Sequence, residues 1–185
     1  MKVLQTDLPE CLVFEPRVFE DDRGSFHESF NHDKLATLGL RPSFVQGNVS
    51  SSRRGVLRGL HFQWPNPQGK YLSVQQGEIW DVVVDVRRGS PTFSRWTAVV
   101  LSSANKRHLW VPEGFAHGYV AVSEQAVVSY LCTATYDPGA ETAVRWDDPD
   151  LAIDWPIKDP VLSGKDAKAL SLSDIAEDRL PLFQP

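Results

Sequence analysis

Hydrophobic and polar positions alternate with a period of two along most of the chain, in segments that are short. The clearest stretch reads YLSVQQ-G-EIWDVVVDVR, covering Tyr71–Gln76 and Glu78–Arg87 with Gly77 between them. Two β-rich runs split by a glycine predict a hairpin. Further strand-like runs are Phe44–Val49, Val56–Phe62, Trp96–Ser102, His108–Val111, Gly118–Val122, Ala126–Leu131 and Ala143–Trp146. Turn chemistry separates them at Arg88-Gly89-Ser90-Pro91, Val111-Pro112-Glu113-Gly114 and Asp137-Pro138-Gly139. Short strands spaced by roughly 8–12 residues predict an all-β fold, an antiparallel sandwich or barrel. Helical signals are few. Asn31–Leu38 has a cap at Asn31 and a stop at Gly39, and Ser173–Asp178 fits one more short turn. The first 40 residues or so, and the segment from about 156 to 185, lie outside this strand-dense centre. The pattern predicts one domain over residues 1–185 with an N-terminal arm and a C-terminal flap.

Composition narrows the class. A chain of 185 residues is one domain's worth and can bury roughly 70% of its unfolded surface, so its stability needs no staples. Its 42% apolar and 23% charged residues exclude a disordered or fibrous chain. A net charge of −5 and a pI near 5.5 leave no global basic footprint, so no nucleic-acid partner is expected. The two cysteines, Cys11 and Cys132, have neither disulfide-framework nor metal-ligand spacing, which fits a reduced compartment. The start MKVLQTDLPE lacks the apolar core of a signal peptide, and no apolar run approaches the ~20 residues of a membrane helix. A cytoplasmic protein that does not enter membranes is expected.

Several polar residues interrupt the strand pattern. Arg58, His61 and Gln63 occur in LRGLHFQ; positions 61 and 63 share a face, and 58 points the other way unless a bulge at Gly59 resets the register. Lys70 follows a Pro-rich turn, His117 ends PEGFAH, and Tyr130 and Tyr136 flank a strand end. If the sheet closes on itself, these residues face one cavity. Taken singly each has a plain alternative: a packed histidine, a packed strand tyrosine, a solvated lysine. A metal site is the rival reading of the Pro112–His117 turn. However, Gln63 stands where a second histidine would complete a His-x-His pair, and two imidazoles with an amide suit zinc or iron poorly. No metal is expected.

Longer motifs decide between these readings. The runs DDRGSFHESF, QGNVSSSRRGVLRGLHFQWPNPQGK, GEIWDVVVDVRRGSPTF, VPEGFAHGYVAVSE, WDDPDLAIDWP and LSGKD occur in this order. Together they resemble the dTDP-4-dehydrorhamnose 3,5-epimerase family, from about Val3 to Leu170. The resemblance implies a cupin-type jelly roll, or double-stranded β-helix barrel, with a few short helices. It also implies a homodimer whose N-terminal segment crosses to the partner. The implied reaction inverts C3 and C5 of dTDP-4-dehydro-6-deoxy-D-glucose without a cofactor. Related enzymes with the same residue set invert one carbon only, so a mono-epimerase at C3 or C5, or a ketoisomerase on a related dTDP-4-keto-6-deoxy sugar, is the alternative reading.

The chemistry explains the residue types. Both carbons flank a ketone, so their protons can be removed if the enolate is stabilised. Imidazole is a suitable base near neutral pH, and His61 matches the family's base. Asp166 in LSGKD matches the carboxylate that orients it. Lys70 matches the cation beside the enolate oxygen. Tyr130 matches the acid that returns the proton on the opposite face, so His61 and Tyr130 are expected to face each other. For the nucleotide, the resemblance implies Arg23, Glu28, Gln46, Gly47, Asn48, Arg58, His117, Glu141 and Lys165, with Tyr136 stacking on the thymine and Phe26 assisting. Arg23 and Glu28 are expected from the partner's arm. One departure stands out: several family members carry two adjacent tyrosines where this chain has Thr135-Tyr136.

Overall fold

The computed structural model describes residues 1–40 and 42–184. Two antiparallel sheets face each other. The larger is six-stranded and holds, in spatial order, β1 (Lys2–Gln5), β2 (Leu12–Glu15), β10 (His108–Val111), β7 (Lys70–Gln76), β12 (Gln125–Cys132) and β5 (Gln46–Arg53). The smaller is five-stranded: β13 (Glu141–Ala143), β6 (Leu57–Gln63), β11 (Phe115–Ala121), β8 (Glu78–Asp85) and β9 (Trp96–Ser102). A separate hairpin joins β3 (Val18–Asp21) to β4 (Gly24–His27) and pairs only with itself. This is the jelly roll that the resemblance implied.

The predicted hairpin across Gly77 does not form. β7 pairs with β10 and β12, whereas β8 pairs with β11 and β9, so the chain changes sheet at Gly77. Gly77 has φ +76, and a Cβ there would lie 2.0 Å from the Gln125 carbonyl oxygen. The glycine is required by a corner between sheets rather than by a two-residue turn. Two other expectations shift. The strand expected at Ala143–Trp146 lies earlier, at β13, with Val144 bridging Leu170. The helix at Ser173–Asp178 is replaced by two single 3-10 turns, Leu172–Asp174 and Glu177–Arg179. The helix α1 (His32–Ala36) starts where expected, with Asn31 Oδ1 accepting from Lys34 N at 3.1 Å.

Three apolar clusters hold the layers. Leu72, Val74, Ile79, Val83, Leu109, Phe115 and Val128 fill the space between the sheets. The outer face of the smaller sheet presents Val82, Val84 and Val86, covered by Leu151, Trp155, Leu172, Ile175 and Leu180 of the C-terminal segment. This explains why β8 is buried on both faces and reads as an almost continuous apolar run. On the larger sheet, Phe14, Tyr71 and Trp110 lie under Leu35 of α1. Lys2–Gln5 and Leu12–Glu15 are therefore strands of the body. Within the N-terminal segment it is the β3–β4 hairpin that stands off the body, with Phe19 51% and Phe26 70% exposed. Among the described residues, no helix is long and apolar enough to cross a membrane.

Candidate active site

The facing sheets enclose a cavity of about 410 Å³. Eleven of the fifteen predicted site residues line it: Gln46, Asn48, Arg58, His61, Lys70, His117, Tyr130, Tyr136, Glu141, Lys165 and Asp166. Gly47 lies between two of them on β5. Arg23, Phe26 and Glu28 do not reach the cavity of this chain. Arg23 ion-pairs with Asp21 at the tip of the hairpin, where it lines a separate shallow depression with Phe26. Glu28 pairs with Lys34 at 2.6 Å and accepts from Asn31.

A bulge in β6 brings Arg58 and His61 to one side. His61 pairs with His117 and Arg58 with Tyr119, so β6 advances three residues while β11 advances two. Gly59 absorbs the extra residue at φ +119, and a Cβ on it would lie 2.5 Å from Gly118 Cα. A Cβ on Gly118 would in turn meet the Arg58 carbonyl oxygen at 2.6 Å. Only glycine at both positions permits this approach.

His61 Nε2 lies 2.6 Å from Asp166 Oδ1, across 105 residues of sequence. Ser163 Oγ donates to Asp166 Oδ2 at 2.8 Å, and the Asp166 amide donates back to Ser163 Oγ. Burial alone would raise the Asp166 pKa, but the hydrogen bond and charge of His61 together with the Ser163 bond hold it below the usual carboxylate range. The ionised carboxylate accepts, so the neutral ring carries its proton on Nε2. The lone pair is left on Nδ1.

The opposite wall comes from the larger sheet. Tyr130 on β12 is half-buried, and burial raises its pKa. Lys70 on β7 is buried, and its Nζ reaches across to the His61 carbonyl oxygen at 3.5 Å. Burial pulls its pKa down, against the opposing pull of Cys132, Asp81 and Glu141. A second histidine, His117, contacts Asp81 through Nε2 at 2.9 and 3.0 Å. Asp81 is fully buried, which pushes its pKa up; His117 and Lys70 pull it back.

The mouth of the cavity is a connected rim. Glu141 accepts from the Tyr136 hydroxyl at 2.6 Å, ion-pairs with Lys165, and places Oε1 3.9 Å from His61 Nδ1. Burial would raise the Glu141 pKa, but these partners, Lys165 first, lower it. Gln46 accepts from the Tyr136 amide at 2.8 Å. Exposed Arg58 is held by Ser52 Oγ and the Ser51 carbonyl. Among the described residues, no group of three or more His, Cys, Asp or Glu side chains comes together as a metal site.

Sequence reasoning left several lining residues unassigned, chiefly Gln63, Gln68, Tyr119 and Ser163. Gln63 is buried and grips the loop ahead of the rim: it donates to the Asn66 and Thr135 carbonyls and accepts from the Asp137 amide. Two signals pointed to these residues. Gln63 and Tyr119 each stand two places after a cavity histidine on the same strand face, and Ser163 belongs to the LSGKD run.

Comparison with known proteins identifies the family. A profile of the dTDP-4-dehydrorhamnose 3,5-epimerase family matches residues 5–174. A dTDP-4-dehydrorhamnose 3,5-epimerase of Pseudomonas aeruginosa is 49% identical over 176 residues, 94% of this chain and 97% of the relative. The crystal structure of dTDP-6-deoxy-D-glucose-3,5-epimerase from Legionella pneumophila, in complex with dTDP-4-keto-L-rhamnose, superposes with a TM-score of 0.97 at 46% identity. It covers 100% of this chain and 99% of that one. A 3'-monoepimerase from Streptomyces bikiniensis, in complex with dTDP-quinovose, superposes with a TM-score of 0.90 at 36% identity, covering 96% and 92%.

Proposed function

The chain belongs to the dTDP-4-dehydrorhamnose 3,5-epimerase family, and from that premise we propose that it is an isomerase converting dTDP-4-dehydro-6-deoxy-D-glucose to dTDP-4-dehydro-L-rhamnose. The observation that carries the reading is the arrangement of base and acid. His61 stands on the smaller sheet with Asp166 of the C-terminal segment behind it, and Tyr130 on the larger sheet, in one cavity, with Lys70 reaching between the walls.

The residues divide the reaction among them. His61 Nδ1 takes the proton from the carbon beside the ketone, and Asp166 stabilises the imidazolium that forms. The electron pair passes to the ketone oxygen, where the Lys70 ammonium balances the developing charge. Tyr130 delivers a proton to the opposite face of the same carbon, which inverts it. Once His61 has released its proton to solvent and Tyr130 has regained one from it, repetition at the second carbon completes the double inversion. Each inversion removes one proton and returns one and is redox-neutral, so it calls for a base, an acid and a cation and for no electron carrier. Arg58 and Lys165 at the mouth suit a diphosphate, and exposed Tyr136 offers a face for thymine stacking.

The functional unit is a homodimer with exchanged arms. Among the described residues the β3–β4 hairpin has no further partner strand, and it exposes Phe19 and Phe26 on cross-strand positions. A two-stranded hairpin of this size is marginal alone. Docked against a second copy, it brings Arg23, Phe26 and Glu28 to the partner's cavity, in keeping with their expected substrate contacts.

The test is solvent exchange. The pure protein is incubated in deuterated water with dTDP-4-dehydro-6-deoxy-D-glucose, and the ring protons are followed by NMR. Deuterium at both C3 and C5, with L-rhamno product, is expected. Deuterium at one carbon establishes the narrower single-carbon epimerase, a reading kept open by the monoepimerase that shares this fold. Absence of exchange at both carbons overturns both readings.

A further inference from the structure

The rim that carries Glu141 is braced from outside the cavity. Residues 137–141 form a tight turn in which the Asp137 side chain accepts from the Gly139 and Ala140 amides and the Asp137 carbonyl accepts from the Glu141 amide. The Ala140 carbonyl is taken by Trp64 N, in register with β6. β13 is the last strand of its sheet, so the carbonyls on its outer side have no strand to bond. Arg179 fills that place. Its guanidinium donates to the Gly139 carbonyl, to the Glu141 carbonyl and to Thr142 Oγ1, each at 2.9 Å.

Arg179 itself is held in place. Ile175 and Leu180 on either side are buried in the outer apolar cluster. Beyond them the chain is bonded at Arg88, whose amide donates to the Pro181 carbonyl and whose carbonyl accepts from Phe183 N. The Arg87 guanidinium lies over the Phe183 ring at 5.1 Å. The guanidinium therefore joins two anchored segments, and the side it grips is the backbone of Glu141. The Glu141 side chain in turn holds the Tyr136 hydroxyl and Lys165. None of the motifs that marked the site includes Arg179, and it does not line the cavity.

We propose that Arg179 is a positioning residue for the nucleotide half of the substrate: by clamping the backbone of residues 139–142 it fixes Glu141, and through Glu141 the Tyr136 and Lys165 groups that meet the base and the diphosphate. The proposal rests on the function proposed above. The effect falls on the rim first, because Asp166, the partner of His61, is held by Ser163 rather than by Arg179; rim and base meet where Glu141 Oε1 lies 3.9 Å from His61 Nδ1. A fork of three donors also explains the residue type, since a lysine places one ammonium where three acceptors are spread over two residues' backbone and a hydroxyl.

The experiment measures dTDP binding by calorimetry, steady-state kinetics and thermal unfolding for the wild type, Arg179→Ala, Arg179→Lys, Glu141→Ala and the double variant Arg179→Ala/Glu141→Ala. Arg179→Ala is expected to weaken dTDP binding and raise KM about tenfold, with kcat changed less than threefold and Arg179→Lys intermediate. In the Glu141→Ala background the added loss should fall below twofold, because the two act as one unit. Unchanged dTDP affinity and KM in folded Arg179→Ala overturn the proposal, whatever happens to the melting temperature. Equal losses with and without Glu141 overturn it as well. If Arg179→Ala does not fold, Arg179→Lys carries the same comparison. Failure of the wild type to bind dTDP defeats the functional reading itself and is recognised without any variant.

Discussion

Asp166→Asn tests the catalytic reading most directly, because it is nearly isosteric and removes one charge. Asp166 is 5% exposed and His61 is half-buried, so their interaction is only partly screened. The asparagine can keep the local bonds: Oδ1 accepts from His61 Nε2 while the amide nitrogen donates to Ser163 Oγ. What it cannot supply is the negative charge that stabilises the imidazolium after proton abstraction. Two unit charges about 4 Å apart at an effective dielectric near 20 interact by about 4 kcal/mol. The partial exposure of His61 lowers that to about 3 kcal/mol, or roughly a hundredfold in rate. In the other amide orientation the nitrogen faces the ring and forces the proton onto Nδ1, which abolishes the base. The expected outcome is a loss of a hundredfold or more in kcat for product formation and in the rate of ring-proton exchange, with dTDP affinity within about twofold of wild type. Turnover of Asp166→Asn within threefold of the wild type would refute the assignment of the pair.

The remaining predictions concern the opposite wall and the pH response. Tyr130→Phe should stop formation of the inverted product while a ring proton still exchanges with deuterated solvent; loss of both together would place Tyr130 outside the reprotonation step. Lys70→Met should slow turnover by about 10²-fold or more, the usual effect of removing an oxyanion partner, without lowering the melting temperature, because a buried ammonium is costly to desolvate. His108, 2% exposed and stacked on Tyr71, has its pKa pushed down to about 4 by burial and by neighbouring His27. The unfolded chain then binds the extra proton between pH ~6.5 and 4, so stability is full above that window and falls as pH drops through it. Urea midpoints across the window should show this slope in the wild type and a flatter one in His108→Leu; identical slopes would assign the loss to other groups.

Much of the site was legible in the sequence because long motifs fix residue order. His61, Lys70, Tyr130 and Asp166, which lie far apart along the chain, meet in one cavity. The bulge at Gly59 was legible as a condition, since Arg58 and His61 can share a wall only if the register slips by one. Other features were hidden for physical reasons. Alternation cannot say which sheet a strand joins, so β7 and β8 read as a hairpin although Gly77 sends them to different layers. The four strands of the N-terminal segment span four residues each, too short for a period to register. Arg179 contributes through backbone carbonyls, and a carbonyl leaves no trace in the identity of the residue that carries it.

The separation of the two sheets gives the site its logic. Inversion needs proton donor and acceptor on opposite faces of one carbon, and groups on a single sheet would approach from the same side. Here His61 and Asp166, the proposed base and its carboxylate, belong to the smaller sheet and its C-terminal cover, whereas Tyr130 and Lys70, the proposed acid and cation, belong to the larger. The smaller-sheet side also pairs its ionisable groups: Asp166 is matched to His61, Asp81 to His117, and Glu141 to Lys165, each by direct contact. Lys70, on the larger sheet, has no such contact with a carboxylate among the described residues: it is buried, and it reaches across the cavity to a carbonyl oxygen at 3.5 Å. A desolvated ammonium with so little compensation gains most from an anion placed beside it, and the enolate oxygen is the anion that the proposed reaction creates there. In the proposed reaction the cost of burying Lys70 is offset when charge develops on the substrate, which is the differential interaction that catalysis requires.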